Sequence, residues 1–63
     1  MSAYSLRLHH LSGGAPIEEP LEASDEAEAR ELARVRLLLT RDYSRVELHH
    51  AGRRLDVFTR DPG

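Results

Sequence analysis

Two adjacent pairs of histidines, His9–His10 and His49–His50, are the residues of this sequence best suited to chemistry. Imidazole nitrogens bind transition metals and exchange protons near neutral pH. Neighbouring residues of a strand point to opposite faces of a sheet, so neither pair can hold one ion alone. A site would need one histidine from each pair, with Glu47 as an added oxygen ligand. Because these residues lack a recognised metal-binding spacing, we predict no metal and retain three weak candidate ligands, His9, His49 and Glu47.

Carboxylates and serines do not form a recognised catalytic site either. Glu47 and Asp56 are predicted to face each other across a hairpin, and two such carboxylates can act as an acid and a base. Arginines on the same face offset that like-charge contact, so an exposed ionic lattice explains these residues without catalysis. The chain has no cysteine, and the stretch Ser12–Ala15 lacks the lysine and the length of a phosphate-binding loop. We expect no enzyme activity, no catalytic residue and no cofactor.

A further set of polar residues would suit a nucleic acid, because arginines pair with phosphates and flat rings stack on bases. The ring of Phe58 is predicted to lie on the same face. The formal net charge is -2, which is not the strongly basic balance of a dedicated nucleic-acid binder. Glu47 and Asp56 would also repel phosphates from the middle of the face. Nucleic-acid binding is therefore the alternative function, and its candidate residues are Arg7, Arg45, Arg54, His9 and His49.

The elements that must position these side chains are predicted from the alternation of apolar and polar residues. Such alternation is typical of half-buried strands, and it runs over residues 4–10 and again over residues 43–59. The second run predicts a hairpin. The register that pairs apolar residues across it sets Leu48 opposite Leu55 and Val46 opposite Val57. Its loop has either two residues, Ala51 and Gly52, or four, from His50 to Arg53.

A helix is predicted over residues 25–39. Ser24 or Asp25 can cap its start, and Glu28 stands at the capping-box distance from Asp25. Acidic residues crowd the first turn and arginines the later ones, which suits the helix dipole. The main apolar stripe consists of Ala29, Leu32, Val35 and Leu39, widened by Ala33 and Leu37, with Leu38 on a different side.

Glycines and prolines interrupt the chain between the first strand and the helix. Residues 12–23 contain Gly13, Gly14, Pro16 and Pro20, so this segment is predicted to be a loop. Residues 61–63 are predicted to form a frayed tail.

These elements predict an α+β fold with the order β-α-β-β, in which one helix covers one face of a three-stranded, mainly antiparallel sheet. A right-handed crossover through the helix would make the first two strands parallel. The third strand then lies between them or at the edge. We favour the middle position, because every neighbouring pair is then antiparallel, and antiparallel sheets tolerate one solvated face.

The length of 63 residues fits one domain over residues 1–63 with a small core. A domain of this size buries only about 60% of the surface of its unfolded chain. With no cysteine to form a disulfide, a second copy of the chain is a common source of added stability. Phe58, Leu37 and Leu38 have no evident place in a single core. We therefore expect a small binding or regulatory module that acts through protein–protein association as a homodimer, with these three residues at its interface.

No apolar run approaches the roughly 20 residues that a membrane-spanning helix needs, and the N-terminus does not resemble a secretory signal. We expect no membrane association and a cytoplasmic location.

Three segments carry a resemblance to other proteins: YSLRLHH, SDEAEARELA and YSRVELHHAGRRLDVFTRD. Together they resemble a family of small, uncharacterised bacterial proteins with a strand-helix-strand-strand layout. The resemblance covers most of the chain and includes no recognised catalytic motif. It implies a compact bacterial domain that forms a dimer, and it implies no activity.

Overall fold

In the computed structural model, which describes residues 2–60, four strands form one sheet and one helix packs on one of its faces. The elements along the chain are β1 (Ser2–His10), β2 (Ile17–Ala23), α1 (Glu26–Leu39), β3 (Tyr43–His50) and β4 (Arg53–Thr59). Their order across the sheet is β2-β1-β3-β4, and every neighbouring pair is antiparallel. The α+β class is therefore correct. The predicted tail 61–63 lies outside the described residues.

The prediction of three strands is wrong, because part of the predicted loop 12–23 is a strand. Residues 17–23 form β2, which pairs with β1 from Leu8↔Ile17 to Ser2↔Ala23. Only the turn before β2 is irregular, and Gly13 and Gly14 both adopt positive φ there. Pro20 does not interrupt β2, because β2 is an edge strand and a proline at a sheet edge need not donate a hydrogen bond.

The predicted strand order is also wrong. β3 pairs directly with β1, with Leu6↔Leu48 and Leu8↔Val46 in register, so β4 lies at the far edge and not between them. Strands β1 and β3 are antiparallel. The physical reason is β2: its hairpin with β1 reverses the chain before the helix begins, so the helix connects β2, not β1, to β3, and these two parallel strands lie on either side of β1.

A bulge in β4 shifts the predicted register of the second hairpin. The loop is the two-residue version, with Ala51 and Gly52 both at positive φ, and His50 pairs with Arg53. The register then slips by one residue, so Leu48 faces Asp56 and not Leu55. Leu55 still packs against the core.

The bulge corrects the faces assigned to the end of β4. Phe58 pairs with Val46 on the helix-covered face, and Val57 pairs with Glu47 on the opposite face. Asp56 also turns to the helix side, so the predicted Glu47–Asp56 carboxylate pair does not form. The shift places the largest apolar side chain of β4 over the core, which a bulge-free register would leave in solvent.

The core lies between α1 and the covered face of the sheet. The sheet supplies the large side chains and α1 supplies small ones, which lets the helix axis approach the strands closely. Its buried apolar residues are Tyr4, Leu6, Leu8, Ala23, Ala29, Ala33, Leu37, Val46 and Leu48.

This packing corrects the predicted helix stripe. The residues of α1 that are buried are Ala29, Ala33 and Leu37, spaced four apart. Of the predicted main stripe, Ala29 is buried against the sheet. Leu32, Val35 and Leu39 point away from the sheet and are at least partly exposed to solvent.

Both ends of α1 are held by side chains. At the start, Asp25 accepts a hydrogen bond from the amide of Glu28 at 2.8 Å, and the Glu28 carboxylate accepts one from the amide of Ser24 at 2.7 Å. The predicted cap is confirmed. At the other end, the guanidinium of Arg60 donates to the carbonyl oxygens of Leu37 and Thr40. Those carbonyls have no partner within the helix, so Arg60 satisfies groups that would otherwise need water.

Two ion pairs join α1 to the outer strands. Arg36 donates twice to the carboxylate of Glu19 in β2, at 2.9 and 3.2 Å, and Arg30 donates to Asp56 in β4 at 3.0 Å. One pair lies on each side of the helix, so together they fix its position across the sheet. Within the described residues, no helix is long and apolar enough to cross a membrane.

Candidate functional site

An apolar stripe is exposed along the outer side of α1. We call it the helix surface and define it by Leu32, Val35 and Leu39, which lie on one side of the helix because of their three- and four-residue spacing. Their relative exposures are 37%, 43% and 71%. Single exposed apolar residues are ordinary, but three on one side of a short helix form a continuous patch of the kind found at interfaces.

Charges are distributed unevenly beside the helix surface. Glu28 and Glu31 are exposed in the first half of α1, whereas Arg34 is exposed in the second half and Arg41 follows the helix end. A second copy of α1 packed antiparallel on the first would place the acidic half of one helix against the basic half of the other. The helix surface is thus complementary to itself in charge as well as in apolar character.

The residues predicted at an interface lie in three different environments. Leu37 is buried beneath α1, Phe58 is half-buried against the core, and Leu38 is 65% exposed. Leu38 faces β4, away from the helix surface, and lines a groove together with Phe58. Leu37 is only 3% exposed, so it contributes little surface to a contact with another protein.

The sequence pattern places Leu32, Val35 and Leu39 in the apolar stripe of the helix that faces the core. It does not predict that they form an exposed surface. The signal that could have separated them is the second stripe, Ala29, Ala33 and Leu37. A sheet that already presents several large side chains leaves room only for small helix residues, and alanines at four-residue spacing meet that requirement.

On the open face of the sheet, four polar residues form what we call the open-face cluster: His9, Arg45, Glu47 and His49. Glu47 is only 7% exposed. Its carboxylate lies between two imidazoles, with Nε2 of His9 at 2.7 Å from one oxygen and Nε2 of His49 at 2.9 Å from the other. Arg45 approaches the same carboxylate at 3.5 Å. The alternation of β1 and β3 places all four on one face, and direct pairing of these strands brings them into contact.

The carboxylate of Glu47 fixes the direction of the hydrogen bonds in the cluster. An ionised carboxylate can only accept, so Nε2 of His9 and Nε2 of His49 both donate to it. Nη2 of Arg45 lies beside the ring of His9, 3.3 Å from Nδ1 and 3.4 Å from Nε2. Burial raises the pKa of the Glu47 carboxyl, but hydrogen bonds from His49 and His9 and the attraction of His9 and Arg45 outweigh it, so that its pKa lies below the ordinary value.

The cluster brings the three candidate metal ligands together without making a metal site. The carboxylate occupies the space between the two imidazoles, and each Nε2 is already committed to one of its oxygens. Arg45 adds a fixed positive charge that opposes a cation. Among residues 2–60, no group of three or more His, Cys, Asp or Glu side chains could hold a metal ion.

The other two histidines turn to the covered face of the sheet. His50 stacks on Tyr4 with ring centroids 4.5 Å apart, and His10 meets Tyr43 edge-on at 5.0 Å. The prediction that adjacent histidines point to opposite faces is confirmed.

The residues predicted for nucleic-acid binding do share the open face. His9, Arg45 and His49 are bound to Glu47, and Arg7 lies 3.8 Å from Glu18 of β2. Arg54 pairs in register with His49. Phe58 lies on the other face, so it cannot stack on a base there. The arginines are thus largely balanced by carboxylates within the described part of the chain.

Comparison with protein-family models, with curated proteins and with solved structures found no match to this chain. The family resemblance drawn from the sequence gains no support from these comparisons, and the candidate site rests on the geometry alone.

Proposed function

We propose that this chain is a small binding module that acts through protein–protein association, as a homodimer formed by its helix surface. The observation that carries the proposal is the exposure of Leu32, Val35 and Leu39 along one side of α1. Full burial of an exposed leucine or valine contributes about 1.5–3 kcal/mol, so covering these three partly exposed side chains contributes about 2–4 kcal/mol per copy, which is large against the stability of a small domain. A cytoplasmic location belongs to the same proposal.

The charge distribution favours a second copy of the chain as the partner. An antiparallel pair of α1 helices is symmetric, so the same patch serves both copies, as in most homodimers. Glu28 and Glu31 of one copy then approach Arg34 and Arg41 of the other. A partner without this acidic-to-basic order would leave like charges opposed along half of the helix.

The sheet edges argue in the same direction, because neither offers an uninterrupted row of main-chain groups along which the whole strand of a second copy could pair. Pro20 stands in the middle of β2 and offers no amide proton. In β4, the bulge at Leu55 interrupts the edge, and the carboxylate of Asp56 accepts a hydrogen bond from the amide of Val57 at 2.8 Å. Bulges and prolines of this kind oppose pairing along a full edge and leave room for a short contact at most.

The test is the oligomeric state of Val35→Arg, measured by sedimentation velocity at low and at high protein concentration. Arginine has a better helix propensity than valine, so α1 should remain folded while the centre of the patch gains a charge. We expect the parent chain to be dimeric at high concentration and the variant to be monomeric.

Ala3→Arg provides the matched control, because Ala3 is an exposed apolar residue of β1 on the open face of the sheet, the face opposite α1. Its dimerisation should equal that of the parent chain. A parent chain that stays monomeric at high concentration, or a Val35→Arg variant that dimerises as well as the control, would refute the proposal.

A further inference from the structure

A groove between α1 and β4 runs along the side of the helix that the helix surface does not use. Its volume is about 410 Å³, within the range of ligand sites in proteins. Leu37 and Phe58 form an apolar floor and Leu38 forms a rim. The two charged side chains that line it, Arg34 and Arg60, are both basic.

The two arginines are not equally available. Arg60 is committed to the end of α1 and also donates to the carbonyl oxygen of Tyr43 at 3.2 Å, so it is a fixed part of the wall. Arg34 is largely exposed, and its contact with Glu31 is long, at 3.4 Å. An acidic group entering the groove would find Arg34 able to turn towards it.

The outer edge of β4 is open beside this groove. The amide of Arg60 donates to the carbonyl oxygen of Ser44 in β3 at 3.1 Å, so Arg60 points its main-chain groups inward. Because main-chain groups alternate along a strand, those of Thr59 and Val57 point outward. Asp56 covers the amide of Val57, but no side chain of the described residues donates to or accepts from the main chain of Thr59. The accessible part of the edge therefore coincides with the groove.

We propose that the groove between α1 and β4 binds an extended, acidic segment of a partner protein, which adds a short strand to the outer edge of β4 at Thr59. An apolar side chain of the segment packs over Phe58 and Leu38, and a neighbouring carboxylate binds Arg34. Strand addition of this kind obtains affinity from main-chain hydrogen bonds and selectivity from side-chain pockets. The helix surface lies on another side of α1 and the two proposals share only Arg34, so the contacts to Leu38, Phe58 and Thr59 do not require dimerisation.

The probe is a short synthetic peptide, capped at both ends, in which aspartate and glutamate alternate with valine and phenylalanine. Two counterparts test the chemistry: one with lysine in place of each acidic residue, and one with N-methylated peptide groups that cannot pair with a strand. Binding is followed by the amide shifts of the isotope-labelled protein. We expect saturable shifts at Leu38, Phe58 and Thr59 with the acidic peptide, and affinities at least about tenfold lower with both counterparts.

Three variants locate the site. Thr59→Pro removes the outward amide and no hydrogen bond to β3, and it should abolish binding. Arg34→Gln should weaken binding about three- to tenfold, whereas the matched change Arg53→Gln, at an exposed residue outside both the groove and the helix surface, should leave it unchanged. Leu38→Glu changes a side chain that is 65% exposed, so it should fold normally and lose binding even if Thr59→Pro does not fold.

Three results would overturn the proposal: no saturable shifts, equal binding of the lysine peptide, or shifts confined to the open face or to the helix surface. Shifts confined to the helix surface would show that the dimer contact, and not the groove, receives peptides.

Discussion

Glu47 shows how single residues of this chain are adjusted to one another on the open face. A carboxylate buried on a sheet is unfavourable unless its charge is hydrogen-bonded. Here two imidazole N–H groups donate to it, and Arg45 lies nearby. The net result is a pKa below the ordinary value in spite of burial, so the folded state favours the ionised form.

The lowered pKa predicts a loss of stability in acid. A carboxyl whose folded pKa is depressed contributes stability that is fully present above its unfolded pKa, near 4.5, and is lost as the pH falls through the folded value. The Glu47→Gln variant should lack this contribution. At neutral pH we expect it to be less stable by about 1–3 kcal/mol, because an amide nitrogen opposes donors that the carboxylate accepted.

The measurement is urea denaturation of both proteins from neutral pH to about pH 3. The stability difference between them should narrow as the pH falls below about 4.5. Part of the acid sensitivity should persist in the variant, because the hydrogen bond from Arg36 also lowers the pKa of Glu19. Glu22→Gln is the control, since Glu22 is exposed on the open face of the sheet, opposite Ala3 of β1. A difference that stays constant with pH would contradict the assignment.

The helix is the element on which both proposed surfaces depend, and its end is secured from outside. Arg60 follows β4 in the sequence, yet it satisfies the last carbonyls of α1 and the carbonyl of Tyr43 at the start of β3. One side chain thus connects three elements. Nothing in local sequence spacing predicts this contact, because the helix end and Arg60 are separated by the whole of the second hairpin.

Arg60→Gln should therefore destabilise the fold by about 1–2 kcal/mol, through the loss of charge-assisted hydrogen bonds to buried carbonyls. The midpoint of urea denaturation measures the change. Arg53→Gln is the matched control: Arg53 is exposed at the start of β4, and no ion pair to it occurs within residues 2–60, so its replacement should cost less than about 0.5 kcal/mol. Equal effects of the two substitutions would show that Arg60 has no capping role.

The helix and the individual strands differ in how accurately the sequence predicts them. The helix, β1 and the second hairpin have clear periodicity, and their predicted positions agree with the structure to within a few residues. The sequence does not predict β2, because Pro20 indicates the end of regular secondary structure, although a proline is compatible with an edge strand. The bulge at Leu55 could not be derived from alternation, because both registers keep Leu55 in contact with the core.

The same limits apply to the candidate sites. Adjacent histidines on opposite faces follow from strand geometry, so the division of each pair was predictable. Contact among His9, Glu47 and His49 requires β1 and β3 to be neighbours in the sheet. That strand order depends on β2, which the sequence predicts to be a loop. The exposed stripe of α1 was visible as a pattern, but only the packing distance to the sheet decides which of two stripes is buried.

At the scale of the whole molecule, the nine apolar residues buried within residues 2–60 form a small core, so the domain is expected to be marginally stable on its own. Dimerisation through the helix surface would bury further apolar side chains. The fraction of chains that gain this stabilisation increases with protein concentration. The free energy of unfolding of such a dimer rises by about 1.4 kcal/mol for each tenfold increase in concentration, because unfolding separates two chains.

The melting temperature should therefore increase with protein concentration. In a domain of this size, each kcal/mol corresponds to about 4–8 °C. Differential scanning calorimetry over a wide concentration range measures the effect, and Val35→Arg should melt at one temperature throughout. A parent chain whose melting temperature is independent of concentration would contradict the proposed dimer.

Added salt should lower the melting temperature of the dimer if the acidic half of α1 in one copy attracts the basic half in the other.

Pro20 finally determines how large an assembly of this chain can become. A strand added at Thr59 of one copy could come from the β2 edge of a second, and repetition of that step would generate an endless filament. Because Pro20 has no amide proton, the β2 edge cannot form a continuous ladder of main-chain hydrogen bonds with the β4 edge of another copy. Addition of sheets edge to edge is therefore disfavoured, and we expect any assembly of this chain to be closed, with a small and fixed number of subunits.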